Sequence, residues 1–171
     1  MPWILLSILL GTGLLFQTIG TKNELKTAYI TNAKLYSEFQ LSKELDAKIK
    51  EVQLARQAIL DSLGLQLRAL EQKVISGGAS DAEVQGFNQM RNEYGLKQQQ
   101  FAEDNNMLVQ QYQEQISNQL NQYLKDFTKE EGYDYLFGAT NDGSLMGAKD
   151  AYNITDVVLS YVNARYKGVK K

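Results

Sequence analysis

The stretch ISGGASDAE, Ile75 to Glu83, decides how this chain folds. Two adjacent glycines, Gly77 and Gly78, permit a sharp reversal, and Ser80 followed three residues later by Glu83 has the spacing of a capping box at the start of a helix. A helix therefore ends at about Ser76 and another begins at about Asp81.

Upstream of the reversal a helical pattern runs without proline from about Lys34 to Ser76, roughly 43 residues or about 65 Å of helix. Leu45, Ile49, Val52, Ile59, Leu63, Leu70 and Val74 recur along it mostly at three- and four-residue steps, or their sums, and form one apolar stripe. Val52, Leu63 and Val74 are spaced by eleven, as are Ile59 and Leu70, which predicts a nearly straight seam. Downstream, a second stripe follows through Phe87, Met90, Tyr94, Phe101, Leu108, Tyr112, Ile116, Leu120, Tyr123 and Phe127 to about Glu131, where Gly132 supplies a stop. Two long helices joined so closely lie antiparallel, and each buries its stripe on the other. The predicted fold class is mainly α: a long antiparallel coiled-coil hairpin, the arm, over residues 34–127 with its tip near 76–80.

Gly64 and Gly95 fall at one level of this arm if the apex is near Gly78, with Gly64 facing the neighbourhood of Asn92 and Gly95 facing Asp61. Each costs helix stability relative to alanine, so a hinge at that height and a site of close packing are both open readings. Leu54, Leu60, Leu65, Leu96, Met107 and Val109 stand outside the two stripes and are the candidates for weak apolar contacts with other proteins.

The arm's ends return to a small body, residues 22–33 and 128–171. Lys26 to Ile30 has strand character, and Tyr133 to Gly138, the turn-rich Thr140 to Ser144 and Leu145 to Ala148 predict a β-hairpin. A last helix begins near Asn153 or Thr155 and carries Ile154, Val157, Val158, Tyr161, Val162 and Arg165. So few strands are unstable alone, which makes association with further copies attractive. At the other end, Trp3 to Phe16 is an uncharged apolar run of signal-peptide length, so residues 1–21 read as an export signal or, uncut, as an anchor.

Composition excludes most chemistry. The 171 residues include no Cys and no His, which removes thiol nucleophiles, imidazole bases, the usual triads and Cys-based zinc sites. No glycine-rich phosphate loop occurs, and Asp134, Asp142 and Asp156 stand where turn formers and caps are common. No catalytic, metal or cofactor-binding residue is assigned. A net charge of −2 without a basic stripe argues against nucleic acid, the short tail around Lys167, Lys170 and Lys171 being solvated chain end. Ten Tyr and six Phe supply enough apolar surface to fold.

In the segments Ala28-Tyr29-Ile30-Thr31, Lys34-Leu35-Tyr36-Ser37-Glu38-Phe39, Gly132-Tyr133-Asp134-Tyr135-Leu136 and Ala151-Tyr152-Asn153-Ile154-Thr155-Asp156-Val157-Val158, the chain resembles the Skp/OmpH family of periplasmic chaperones. The resemblance implies a homotrimer whose strands join into one body, with Tyr29, Ile30, Tyr135, Phe137, Leu145 and Ile154 as the oligomerisation residues. It also implies ATP-independent holding of unfolded outer-membrane proteins in the periplasm, without cofactors. Better-known members are basic, whereas this chain is mildly acidic, most of all in the returning helix. The alternative is an envelope spacer or docking rod, anchored through an apolar segment at residues 3–19 that contacts the membrane.

Overall fold

The computed structural model describes residues 24–140 and 145–169. The export run, the membrane-contacting residues 3–19, Asp142 with most of the turn at 140–144, and Lys170 and Lys171 lie outside the described residues. The elements in order are β1 (Thr27–Thr31), α1 (Asn32–Glu38), α2 (Gln40–Ile75), α3 (Asp81–Glu131), β2 (Tyr135–Ala139), a single 3-10 turn (Asp150–Tyr152) and α4 (Thr155–Tyr166).

α2 and α3 form the antiparallel arm. By helical rise α2 extends about 54 Å and α3 about 77 Å. At the tip Gly77 takes the left-handed conformation, φ 73°, and the backbone N–H of Glu83 donates to the Ser80 hydroxyl while the Glu83 carboxylate accepts from the Ser80 N–H at 2.8 Å. α3 ends where expected, at Gly132 with φ 68°, its freed carbonyl at Thr128 taken up by the N–H of Tyr133 at 2.9 Å.

The outgoing helix differs from expectation in being broken. Phe39 is extended, ψ 130°, and separates α1 from α2 although neither glycine nor proline stands there. The cause is tertiary. Its ring is fully buried edge-on between Tyr123 and Tyr166, at 6.3 and 5.7 Å, and the Asn163 side chain of α4 accepts the N–H of Gln40 at 2.7 Å, capping α2 from outside.

The body also pairs differently from expectation. β2 lies parallel to β1, with Tyr29 opposite Phe137, and Leu145 to Ala148 forms no strand, so the β-hairpin is replaced by a two-stranded parallel sheet. The arm explains the polarity: α3 returns the chain to the body, the turn at Gly132 reverses it, and β2 then runs the same way as β1. Asp134 clips the two together, its carboxylate accepting the N–H of Lys26 at 2.7 Å and its N–H donating to the Lys26 carbonyl at 2.9 Å. On the other side of β1, the Ile154 N–H donates to the Tyr29 carbonyl and the Thr31 N–H to the Thr155 hydroxyl.

The core sits at the base of the arm. Ile30, Leu35, Phe39, Leu41, Leu45, Ile116, Leu120, Phe127, Val158, Tyr161 and Val162 form one buried cluster where α1, α2, α3 and α4 meet. No helix among the described residues is long and apolar enough to cross a membrane.

Candidate functional site

Two surfaces stand out once the core is accounted for. The first is on the arm. Leu54, Leu65, Leu96 and Met107 are 59–70% exposed, on the backs of their helices away from the seam. Leu54 and Leu65 are eleven residues apart, as are Leu96 and Met107, which is close to three full turns, so each pair stacks in a row about 16 Å apart. In the register where Arg56 meets Asn105, Leu54 is level with Met107 and Leu65 with Leu96.

Two sequence-based assignments change here. Leu60 is only 9% exposed and belongs to the seam, whereas Ile59, placed in the stripe, is 44% exposed. Their angular positions differ by about 100°, and Leu60 is the one in phase with the covered positions Val52, Arg56 and Leu63, at steps of four, four and three. Val109 is half-buried, at the edge of the seam. Gly64 faces Tyr94, two positions from the expected Asn92, and a Cβ there would rest 3.7 Å from the ring, while a Cβ at Gly95 would meet nothing. Neither glycine is required for close packing.

The second surface is the outward face of the sheet. Tyr29 points outward from β1, and from β2 the rings of Tyr135 and Phe137, both about half exposed, stack on each other at 6.0 Å. Leu145 and Tyr152 flank them in a shallow apolar groove. Parallel sheets are normally covered on both faces, and this one is covered on one. Of the residues assigned to oligomerisation, Tyr29, Tyr135, Phe137 and Leu145 line this face; Ile30 instead points into the chain's own core, 3% exposed, because alternate strand residues face opposite ways, and Ile154 packs against that core.

The charged groups tie elements together. Asp156 pairs with Lys34 at 2.5 Å, and that contact raises the Lys34 ammonium above its ordinary value. α4 is held to both legs of the arm: Tyr166 donates to Glu44 at 2.5 Å, lowering that carboxyl and raising the phenol, while Glu130 binds Arg165 and accepts from Tyr161 at 3.0 Å. Burial first, and then the Glu130 contact, push the Tyr161 phenol up, against Arg165. At the tip Lys73 at 2.6 Å and the Ser80 cap hold the Glu83 carboxyl at about 2. Asp134 and Asp156 thus each make a structural contact, with Lys26 and Lys34. Among the described residues no group of three or more acidic side chains is placed to hold a metal ion.

Sequence reasoning missed Arg56 in the seam and Asn163 as the external cap. The first carried a signal, a charged residue four positions from both Val52 and Leu60; the second carried none, since its partner is 123 positions away in the chain.

These features define a class: a helical-hairpin arm on a small α/β base, with exposed apolar rows and no catalytic constellation among the described residues. The family model for outer membrane protein (OmpH-like) matches residues 26–162, and the chain belongs to that family. It is similar to a crystal structure described as an OmpH-like outer membrane chaperone from Caulobacter crescentus, with a TM-score of 0.69 at 20% identity over 82% of this chain and 85% of that one. At that identity the likeness speaks for the fold. No curated protein gives a match.

Proposed function

We propose that this protein is a non-enzymatic, ATP-independent holdase that binds unfolded outer-membrane β-barrel proteins in the periplasm and keeps them from aggregating. The observation that carries the reading is the arm's set of four large apolar side chains, exposed on the helix backs in rows that no other part of the described residues covers. Many weak apolar contacts hold an unfolded client without selecting one conformation of it. Family membership supports the same reading.

In this reading the run Trp3 to Phe16 exports the chain, and the half-covered sheet joins three copies through Tyr29, Tyr135, Phe137 and Leu145. The arms then surround a shared space, flexing at the level of Gly64 and Gly95. Since the chain is mildly acidic, client capture rests on apolar contact and is insensitive to salt.

The test replaces Leu54, Leu65, Leu96 and Met107 by Ser and follows light scattering when a urea-unfolded outer-membrane barrel protein is diluted. Protection drops several-fold while native mass still reports three chains. Full protection by the variant removes this surface from the function, and a native mass of one chain removes the trimer.

A further inference from the structure

Arg56 occupies a seam position that the rest of α2 reserves for apolar residues, flanked at four residues by Val52 and Leu60. Its guanidinium lies 5.5 Å from the centre of the Phe101 ring, 3.6 Å from the Asp104 carboxylate, and donates to the Asn105 side-chain carbonyl. Those three partners sit at one face of α3 and are part-shielded from water, the Arg56 side chain being 23% exposed. Among the described contacts between α2 and α3, the only other ion pair is Lys73 with Glu83, beside the turn.

We propose that Arg56 is a positioning residue that selects the register of the arm, and hence which side chains of α2 and α3 lie level. The apolar seam selects poorly by itself, because its repeat of eleven along α2 looks alike at several offsets. The layer around Arg56 does not. Sliding α3 one turn in one direction puts Arg56 against Lys97, Gln100 and Phe101, where an uncharged amide replaces the carboxylate and a like charge replaces the ring. Sliding it one turn in the other puts Arg56 against Asn105, Leu108 and Val109, where the guanidinium faces aliphatic groups with no carboxylate. A shielded charge left without its partner is strongly unfavourable, so both alternatives are disfavoured by the same residue. The inference does not depend on the chaperone reading.

The chain has no cysteine, so spin labels can be placed uniquely in the full-length protein at Gln66→Cys and Gln111→Cys, two exposed positions offset along the arm by about 24 Å of helical rise. Labelled chains are refolded with an excess of unlabelled ones so that only distances within one chain are read, and the parent is then expected to give one narrow distance distribution. Arg56→Leu is expected to keep its helical circular dichroism while the distribution splits or broadens by about one turn, about 5.4 Å. Asp104→Lys, which keeps Arg56 and reverses its partner, is expected to broaden it as well. An unchanged narrow distribution in either variant overturns the proposal. So does loss of helicity in Arg56→Leu, which would make Arg56 a stabilising contact instead of a selector.

Discussion

The base and the outer half of the arm are built from the same two helices, yet they are held by different physics. At the base α2 and α3 share a core with α1, α4 and β1, and Leu41, Leu45, Ile116, Leu120 and Phe127 are almost wholly buried. Toward the tip, among the described residues, each helix has only the other to lean on. Beyond Leu60 no residue of α2 is buried, and none of α3 is before Ile116; Leu63, Leu67, Leu70, Phe87, Met90 and Tyr94 are half covered. Two helices bury a stripe, whereas four helices and a sheet bury whole side chains. The looser packing of the outer arm follows from this geometry, and among the described residues nothing else covers its exposed rows.

Emptying each region in turn separates the two kinds of packing. Phe127→Ala is expected to lower stability by about 3–5 kcal/mol, as for a fully buried aromatic that leaves a cavity. Leu70→Ala is expected to lower it by about 1 kcal/mol, since a half-covered side chain in a narrow seam leaves little cavity. Urea denaturation followed by circular dichroism measures both, and equal losses would mean that the outer arm is as tightly packed as the base.

A smaller effect runs the other way. A Cβ at Gly64 makes ordinary contact with Tyr94 and one at Gly95 meets open space, so Gly64→Ala and Gly95→Ala are each expected to stabilise the arm by about 0.5–1 kcal/mol. Slower hydrogen exchange in the outer half of α2 and α3, with the base unchanged, checks this. Narrower spin-label distances across that level would sharpen the hinge reading, and unchanged ones would refute it.

The smallest effect is at the tip, where Glu83 is held at about 2 against an ordinary value of 4.5, first by Lys73 and then by the Ser80 cap. Because the folded-state value is depressed, the tip's stabilisation is complete above the ordinary value and is lost as pH falls through the window from 4.5 toward about 2. Protection from hydrogen exchange around residues 73–84, corrected for the intrinsic rate at each pH, is expected to fall over that window. Glu83→Gln is expected to remove the pH dependence, and its persistence in that variant would assign the effect to another group.

Much of the arm was legible because its determinants are local. Ser80 and Glu83 announce a helix start three residues apart, Gly132 announces a stop, and α3 spans Asp81–Glu131 as those signals indicate. The exposed rows were half legible: Leu54, Leu65, Leu96 and Met107 stand outside both stripes, whereas Leu60 and Ile59 exchanged places because adjacent residues differ by one step in phase and only the partner helix resolves which faces it. The break at Phe39 was not legible at all. Its local sequence favours continuing the helix, and the buried ring and the cap from Asn163 override that preference from over a hundred residues away.

What the amino-acid sequence alone determined is the hairpin: two apolar stripes of helical period, a double-glycine reversal between them, and a composition without Cys or His. These depend on neighbours within a few positions, where backbone propensity and periodicity act. What only the tertiary structure decided is the parallel pairing of Thr27–Thr31 with Tyr135–Ala139, the break before Gln40, and the placement of Arg56 among Phe101, Asp104 and Asn105. Each of these joins groups distant in the chain, where neither backbone propensity nor periodicity acts.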